Sequence, residues 1–315
     1  MTAPPPALVG ARGFVRDVGL VARYELAEAA RSKLLIVITL LFVAAGGLAA
    51  WSFTEIVSTV EENAARMTGA PQSRRPGATV RRLRDSGSYR DMLRMFMRNQ
   101  EKADYFAAIP PIVAFFAFFA FKITPFLVLL TSAETIATEV ASRSIRYSVL
   151  RTGRLEFAVG KSLGQALIVV AVTALMALVC YLIAWASLAG FEHGATVLGM
   201  LSFWPRLLLY TLPFLGWAMF ASMVTRSANL ARLLSLGGGF ALAILSALAN
   251  DPPRWLRGEG LAPVRDLIAN LTPFRHDEGL TYPPGGAFAS DVAVCLALAA
   301  LYFAAGFVLL RRRDL

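Results

Sequence analysis

The side chains able to do chemistry in this sequence are few and far apart. Lys122 stands inside a long apolar stretch. A charge at the centre of a bilayer costs at least about 2.5 kcal/mol on insertion scales. Lys122 precedes Thr131 by nine residues, about 13 Å of helix. Its ammonium therefore reaches a backbone carbonyl or the interface, or else it belongs to an anionic path or a seam between copies. A second group is Glu139, Arg143, Ile145, Arg146, Tyr147 and Arg151. A short helix here sets Ile145, Val149 and Tyr147 beside the arginines. Such an apolar and cationic face is suited to a groove on a soluble partner. Gly160-Lys161-Ser162 has the ending of a phosphate-binding loop. Leu155 occupies the place of the first required glycine and no strand precedes it, so ATP is not expected to bind this chain. His193 with Glu192, and His276 with Asp277 and Glu278, read as solvated loop clusters or weak metal captors. Two histidines cannot build a metal cluster alone. Cys180 and Cys295 lie in apolar blocks and read as reduced core thiols. No acid–base or nucleophile pair falls deep in an apolar block, so neither catalytic residues nor a cofactor of its own is expected.

The elements that carry these residues follow from hydropathy. Of the 315 residues, 57% are apolar and 17% charged, and the mean hydropathy is +0.57. A soluble domain carries about 25% charge. Disorder and an ordinary soluble globule are both excluded. The apolar residues fall in blocks of about 20, the length that crosses a hydrocarbon core of about 30 Å. Six spans result: Leu34–Phe53, Phe106–Thr131, Leu163–Leu188, Leu207–Thr225, Arg232–Ala249 and Phe288–Leu310. The chain reads as an all-α integral membrane protein. Pro110, Pro111 and Pro125 predict a kinked second span. The fourth and fifth spans are close enough to form one hairpin. Gly237-Gly238-Gly239 lets another helix approach closely, within the subunit or at a dimer seam.

The net charge is +10, and 27 of the 31 basic residues are arginine, a composition that suits a GC-rich bacterial genome. The charges are spread over loops, which points to lipid headgroups rather than nucleic acid. With the N-terminus inside, inner and outer segments each carry 15 basic residues. Ten of the outer ones sit in the 52-residue loop Thr54–Tyr105. Long loops translocate with less regard to charge, and without that loop the count favours both termini in the cytoplasm. Trp51, Trp185, Trp204 and Trp255 then gather near the outer interface. No cleavable signal is visible in Met1–Gly10. The compartment expected is the bacterial inner membrane.

Three segments outside the spans have structure of their own. Phe14–Lys33 predicts an interfacial helix leading into the first span. In the outer loop, Ile56, Val60, Ala64 and Met67 recur at helical spacing, as do Tyr89, Met92, Leu93 and Phe96. With the turn Gly69–Gly77 between them they predict a small outward helical hairpin, which packs on its own spans or holds an outer partner. Leu261, Val264, Ile268 and Leu271 predict a short amphipathic helix outside. The organisation expected is thus residues 1–33 as N-terminus and interfacial helix, then a six-helix domain over 34–315. Residues 54–105 form its outer insertion and 133–162 its central cytoplasmic loop.

That loop resembles a pattern in the membrane subunits of type 2 ABC exporters, the ABC-2 permeases. Glu139 matches the pattern's Glu, Ser144-Ile145-Arg146 stands in the Gly-Thr-Leu place, and Val149-Leu150 matches its Leu-Leu pair. Thr152-Gly153-Arg154 replaces the Pro-x-Ser-Arg turn, and Gly160-Lys161 matches the Gly-Lys that opens the third span. Ala22-Arg23-Tyr24-Glu25-Leu26 through Lys33 resembles the family's elbow helix, and the tail Leu309–Leu315 its usual ending. The resemblance implies a permease that pairs with a second copy of itself or a homologous permease. It also implies a separate ATPase subunit, which carries the ATP and Mg. A cytoplasmic coupling helix would contact that ATPase through Glu139, Arg143, Ile145, Arg146, Tyr147 and Arg151. The elbow helix, with Arg23 and Glu25, would brace the contact. Export of an unread substrate is the function implied. The alternatives are a subunit serving maturation of a periplasmic partner, as in copper-enzyme maturation, or a non-transporting scaffold.

Overall fold

A computed structural model describes residues 11–68, 94, 100–189, 191–250 and 262–313. The helix expected around Tyr89–Phe96, the turn Gly69–Gly77, Trp255, Leu261 and the last two tail residues lie outside the described residues. The described chain is all-helical. Six helices are long and apolar enough to cross a membrane. They are α2 (Lys33–Thr68), α4 (Pro111–Thr131), α7 (Arg154–Ser187), α8 (His193–Val224), α9 (Ala228–Asn250) and α12 (Phe288–Arg311). Shorter helices fill the connections: α1 (Ala11–Ala29), α3 (Gln100–Ala107), α5 (Ala137–Ala141), α6 (Ile145–Thr152), α10 (Ala262–Leu271) and α11 (Asp277–Thr281).

The boundaries follow local chemistry. After α1 the chain turns at Ala30–Ser32, and the Ser32 hydroxyl accepts from the Leu35 amide at 3.3 Å, which starts α2. The second span does not begin at Phe106. Pro110 and Pro111 separate α3 from α4 and open α4, because proline is tolerated only in a helix's first turn without losing a bond. Pro125 stays inside α4, and Pro205 and Pro213 inside α8. The fourth span begins earlier than expected, since the apolar run Thr196–Trp204 continues the helix back to His193. Spans four and five are separate helices. The first outer helix is no separate element either, because α2 runs on unbroken from the span through Thr68.

Two helices form the inside of the bundle. In α8, 67% of the apolar window is buried, and in α4 61%; in α9 and α12 the share is 17%. The outer helices therefore turn leucine and phenylalanine outward, as a lipid solvent permits. Close backbone approaches hold α12 to α8. A Cβ on Gly216 would stand 2.6 Å from the Ala299 carbonyl oxygen, and one on Gly306 2.9 Å from the Phe220 Cα. Of the three consecutive glycines, Gly238 faces the Trp217 ring and Gly239 faces Leu129, both within this chain. Cys180 and Cys295 are free thiols and buried.

Candidate functional site

At one end of the bundle, the chain between α4 and α7 makes a protruding corner. Its root is pinned to α8, where the Ser222 hydroxyl accepts from the amides of Ile136 and Ala137 at 2.9 and 3.0 Å. Glu134 is paired with Arg232 at the start of α9. The corner turns between α5 and α6 at Arg143, whose φ is +60°, a conformation that a bulky side chain rarely adopts. Gly153, at φ +86°, turns the chain again into α7.

Helical periodicity divides α6 into two faces. Ile145 is buried and Val149 packs on the core, one turn apart. On the other side Tyr147 is 76% and Leu150 85% exposed, with Arg146 and Arg151 beside them and Arg143 at the turn. The expected apolar face is therefore split. Ile145 anchors the helix from within, and the tyrosine and arginines face out.

Glu139 turns inward. It meets Lys161, whose side chain is only 2% exposed. The same ammonium lies 2.5 Å from Glu25 of α1 and 3.6 Å from Glu28. Gln165 donates to the second Glu25 oxygen at 2.7 Å and accepts from the Ser132 hydroxyl at 3.1 Å. One lysine thus joins α1, the corner and α7. The glycines that flank it make the approach possible. A Cβ at Gly160 would stand 2.5 Å from the Val21 Cβ, and one at Gly164 2.7 Å from the Glu25 Cβ. Residues Gly160 to Gly164 therefore form a small-xxx-small face for α1, and the phosphate-loop likeness has a packing explanation. Burial pushes the Glu25 carboxyl above the usual carboxylate range, against the opposing pull of Lys161 and Gln165. Beside the junction lies a cavity of about 230 Å³ lined by Glu25, Glu28, Thr135, Thr138, Lys161 and Gln165. On α1 itself Arg23 is exposed, while Glu25 is 6% exposed.

A second polar cluster lies toward the other end. Lys122, mid-way along α4, pairs with Asp277 at 2.5 Å while its side chain remains 58% exposed. Asp277 comes from the α10–α11 segment, which folds back against α8, α9 and α12 rather than standing clear of the bundle. Phe274 of this segment lies edge-on to Phe214 of α8 at 4.9 Å. Lys102 and Glu278 meet at 2.6 Å, and Arg206 donates to the Tyr105 hydroxyl at 3.2 Å. The loop cluster expected around His276 is not a solvated one. His276 is 3% exposed, with Nδ1 2.7 Å from Asp291 and Nε2 3.0 Å from the Asn270 carbonyl. His193, by contrast, is exposed as expected, with Phe191 and Trp185 beside its ring and Nδ1 2.8 Å from the Tyr181 hydroxyl.

The sequence flagged Lys122 as a misplaced charge but not its partner, which is 155 residues away. Lys161 was noted for its place in a motif and not for its pairing. A lysine flanked by two glycines four apart at the head of a span was the available signal.

Six apolar crossings and these two polar clusters define a multi-pass, all-helical membrane protein. The chain matches the ABC-2 family transporter proteins over residues 20–315 and belongs to that family. It is therefore an ABC-2 permease subunit, and the family implies an ATPase partner. No curated protein matches it in sequence.

Proposed function

We propose that this permease is an exporter subunit of the bacterial inner membrane, with both termini cytoplasmic, and that the α5–α6 corner is its coupling helix. The observation that carries the reading is the outward face of the corner. Tyr147 and Leu150 stand exposed among Arg143, Arg146 and Arg151, while the opposite face is anchored in the bundle. Tyrosine and arginine are the residues that most often dominate a protein interface. Glu139 and Ile145 act from within, holding the corner in place. The α1 helix acts as the elbow, bracing the corner through Glu25, with Arg23 turned to headgroups or to the ATPase.

A second copy, or a homologous permease, covers the face that carries Lys122. A half-open ammonium among apolar residues is costly against lipid. A polar path or a subunit seam supplies what lipid cannot. A periplasmic partner is favoured by one observation, the unbroken run of α2 beyond the apolar block to Thr68, about 20 Å of rigid stalk.

Co-purification with the cognate ATPase tests the reading. The unmutated chain retains the ATPase, and the double variant Arg143→Glu, Arg146→Glu lowers its capture at least about tenfold. Unchanged capture by a correctly inserted double variant overturns the assignment of the corner.

A further inference from the structure

Lys161 has more carboxylates than it needs. Glu25 and Glu139 both reach it, and both are largely buried. They come from segments that are held differently. Glu25 is fixed, because α1 lies in contact with Gly160 and Gly164, and both of its carboxylate oxygens are taken by Lys161 and Gln165. Among the described residues the other side-chain partner of Glu139 is local, the Ser148 hydroxyl at 3.5 Å on the same corner. Breaking a buried ion pair is costly when it strands a charge without a partner. If Glu139 leaves, no charge is stranded. Lys161 keeps Glu25, and Glu139 emerges with the corner into solvent. Glu28, 3.6 Å away and 57% exposed, is screened by solvent and is the weaker partner.

We infer that Lys161 is a positioning residue acting as a releasable joint. Glu25 keeps it paired at all times, while Glu139, and the α5–α6 corner with it, undocks and redocks. The pivots are the Ser222 anchor at the root of α5 and Gly153 at the far end of α6. Ile145, buried in the docked corner, sets the docked position. This rests on the corner being the site where the ATPase acts. The lysine then decides how freely the corner moves, and the exposed arginines decide what moves it.

The two carboxylates have opposite expected effects. Glu139→Gln removes the releasable contact, so the corner samples the undocked position even without nucleotide. Glu25→Gln makes Glu139 the one buried carboxylate at the ammonium, with only the solvent-screened Glu28 3.6 Å away, so release costs the lysine its buried partner and the corner stays docked. The distance between spin labels at Ala141→Cys, beyond Glu139 from the pivot, and Ser162→Cys reads the difference in the full-length protein in nanodiscs. In the otherwise unmutated protein it is short and lengthens when nucleotide is trapped in the bound ATPase. In Glu139→Gln the long distance is already populated in the permease alone. In Glu25→Gln it stays short with nucleotide, and ATP turnover by the complex falls about tenfold or more. Equal behaviour of the two variants overturns the joint, as does a normal lengthening in Glu25→Gln. If Glu25→Gln does not fold, Glu139→Gln decides alone, and a short distance there overturns the joint. That arm needs no ATPase, so its failure is distinct from a failure of ATPase capture by the unmutated chain.

Discussion

Lys161 and Lys122 each bring an ammonium to an otherwise apolar helix, and the fold treats them in opposite ways. Around Lys161 it closes. Carboxylates arrive from α1 and from the corner, an amide and a hydroxyl complete the network, and 2% of the side chain stays exposed. Around Lys122 it stays open, with one carboxylate and 58% of the side chain uncovered. A buried, over-paired lysine holds segments of one chain to each other. A half-open lysine in a span awaits something from outside the chain. On the proposed reading the first serves the coupling corner, and the second a seam or path.

The largest expected effect tests the closed cluster. Lys161→Met leaves two buried carboxylates without their cation and should cost about 3–5 kcal/mol, read as loss of thermal stability in detergent. A loss comparable to that of Lys122→Met would erase the contrast between the two sites. Next is Asp291→Asn, which weakens the bond that ties His276 to α12 and should cost about 1–3 kcal/mol. It should also speed amide exchange in α10–α11, which holds Asp277 against Lys122. Exchange unchanged there would mean that the segment is held by its apolar contacts alone. Lys122→Met should cost less than Lys161→Met, because it leaves one carboxylate, Asp277 at 20% exposure, rather than two without a cation. It should leave ATPase capture intact and lower transport. Transport equal to that of the unmutated protein would make Lys122 a surface pair and nothing more.

The smallest effect is one of pH. The folded state raises the Glu25 carboxyl, so folding favours its protonated form. That contribution is complete below the unfolded value and is lost as pH rises through the folded one. Between about pH 7 and about pH 5, acidification should therefore stabilise the protein relative to Glu25→Gln. The comparison is made by thermal unfolding of both proteins at each pH. A gap that moves the other way would show that Lys161 outweighs burial at Glu25.

Much of the architecture was legible because a bilayer leaves little choice. An apolar run of about 20 residues has to be a helix that spans, and all six were found. The amphipathic spacing at Leu261–Leu271 gave α10, and the composition of Phe14–Lys33 gave α1. Errors came at boundaries. At Phe106 the prolines that looked like a kink proved to be the start of a helix. At Ile56 a second helix was inferred where the span simply continued.

The sites were legible by half. Arg146, Tyr147 and Arg151 could be placed together because they fall within about one and a half turns of one helix. Which side of α6 faces out could not be read, since Ile145 and Leu150 are equally apolar and only the neighbouring helices decide which is buried. The two lysines show the same division more sharply. Sequence alone determined that each is a charge on an apolar helix, and that each therefore needs compensation, because the cost of a bare charge is set by its surroundings. Tertiary structure alone decided the compensation. Glu25, Glu139 and Lys161 are distant in sequence, as are Lys122 and Asp277, and only helix packing brings them within reach. At Lys161, glycines admit α1 and the pairing closes. At Lys122 no helix among the described residues closes over the ammonium, which stays open.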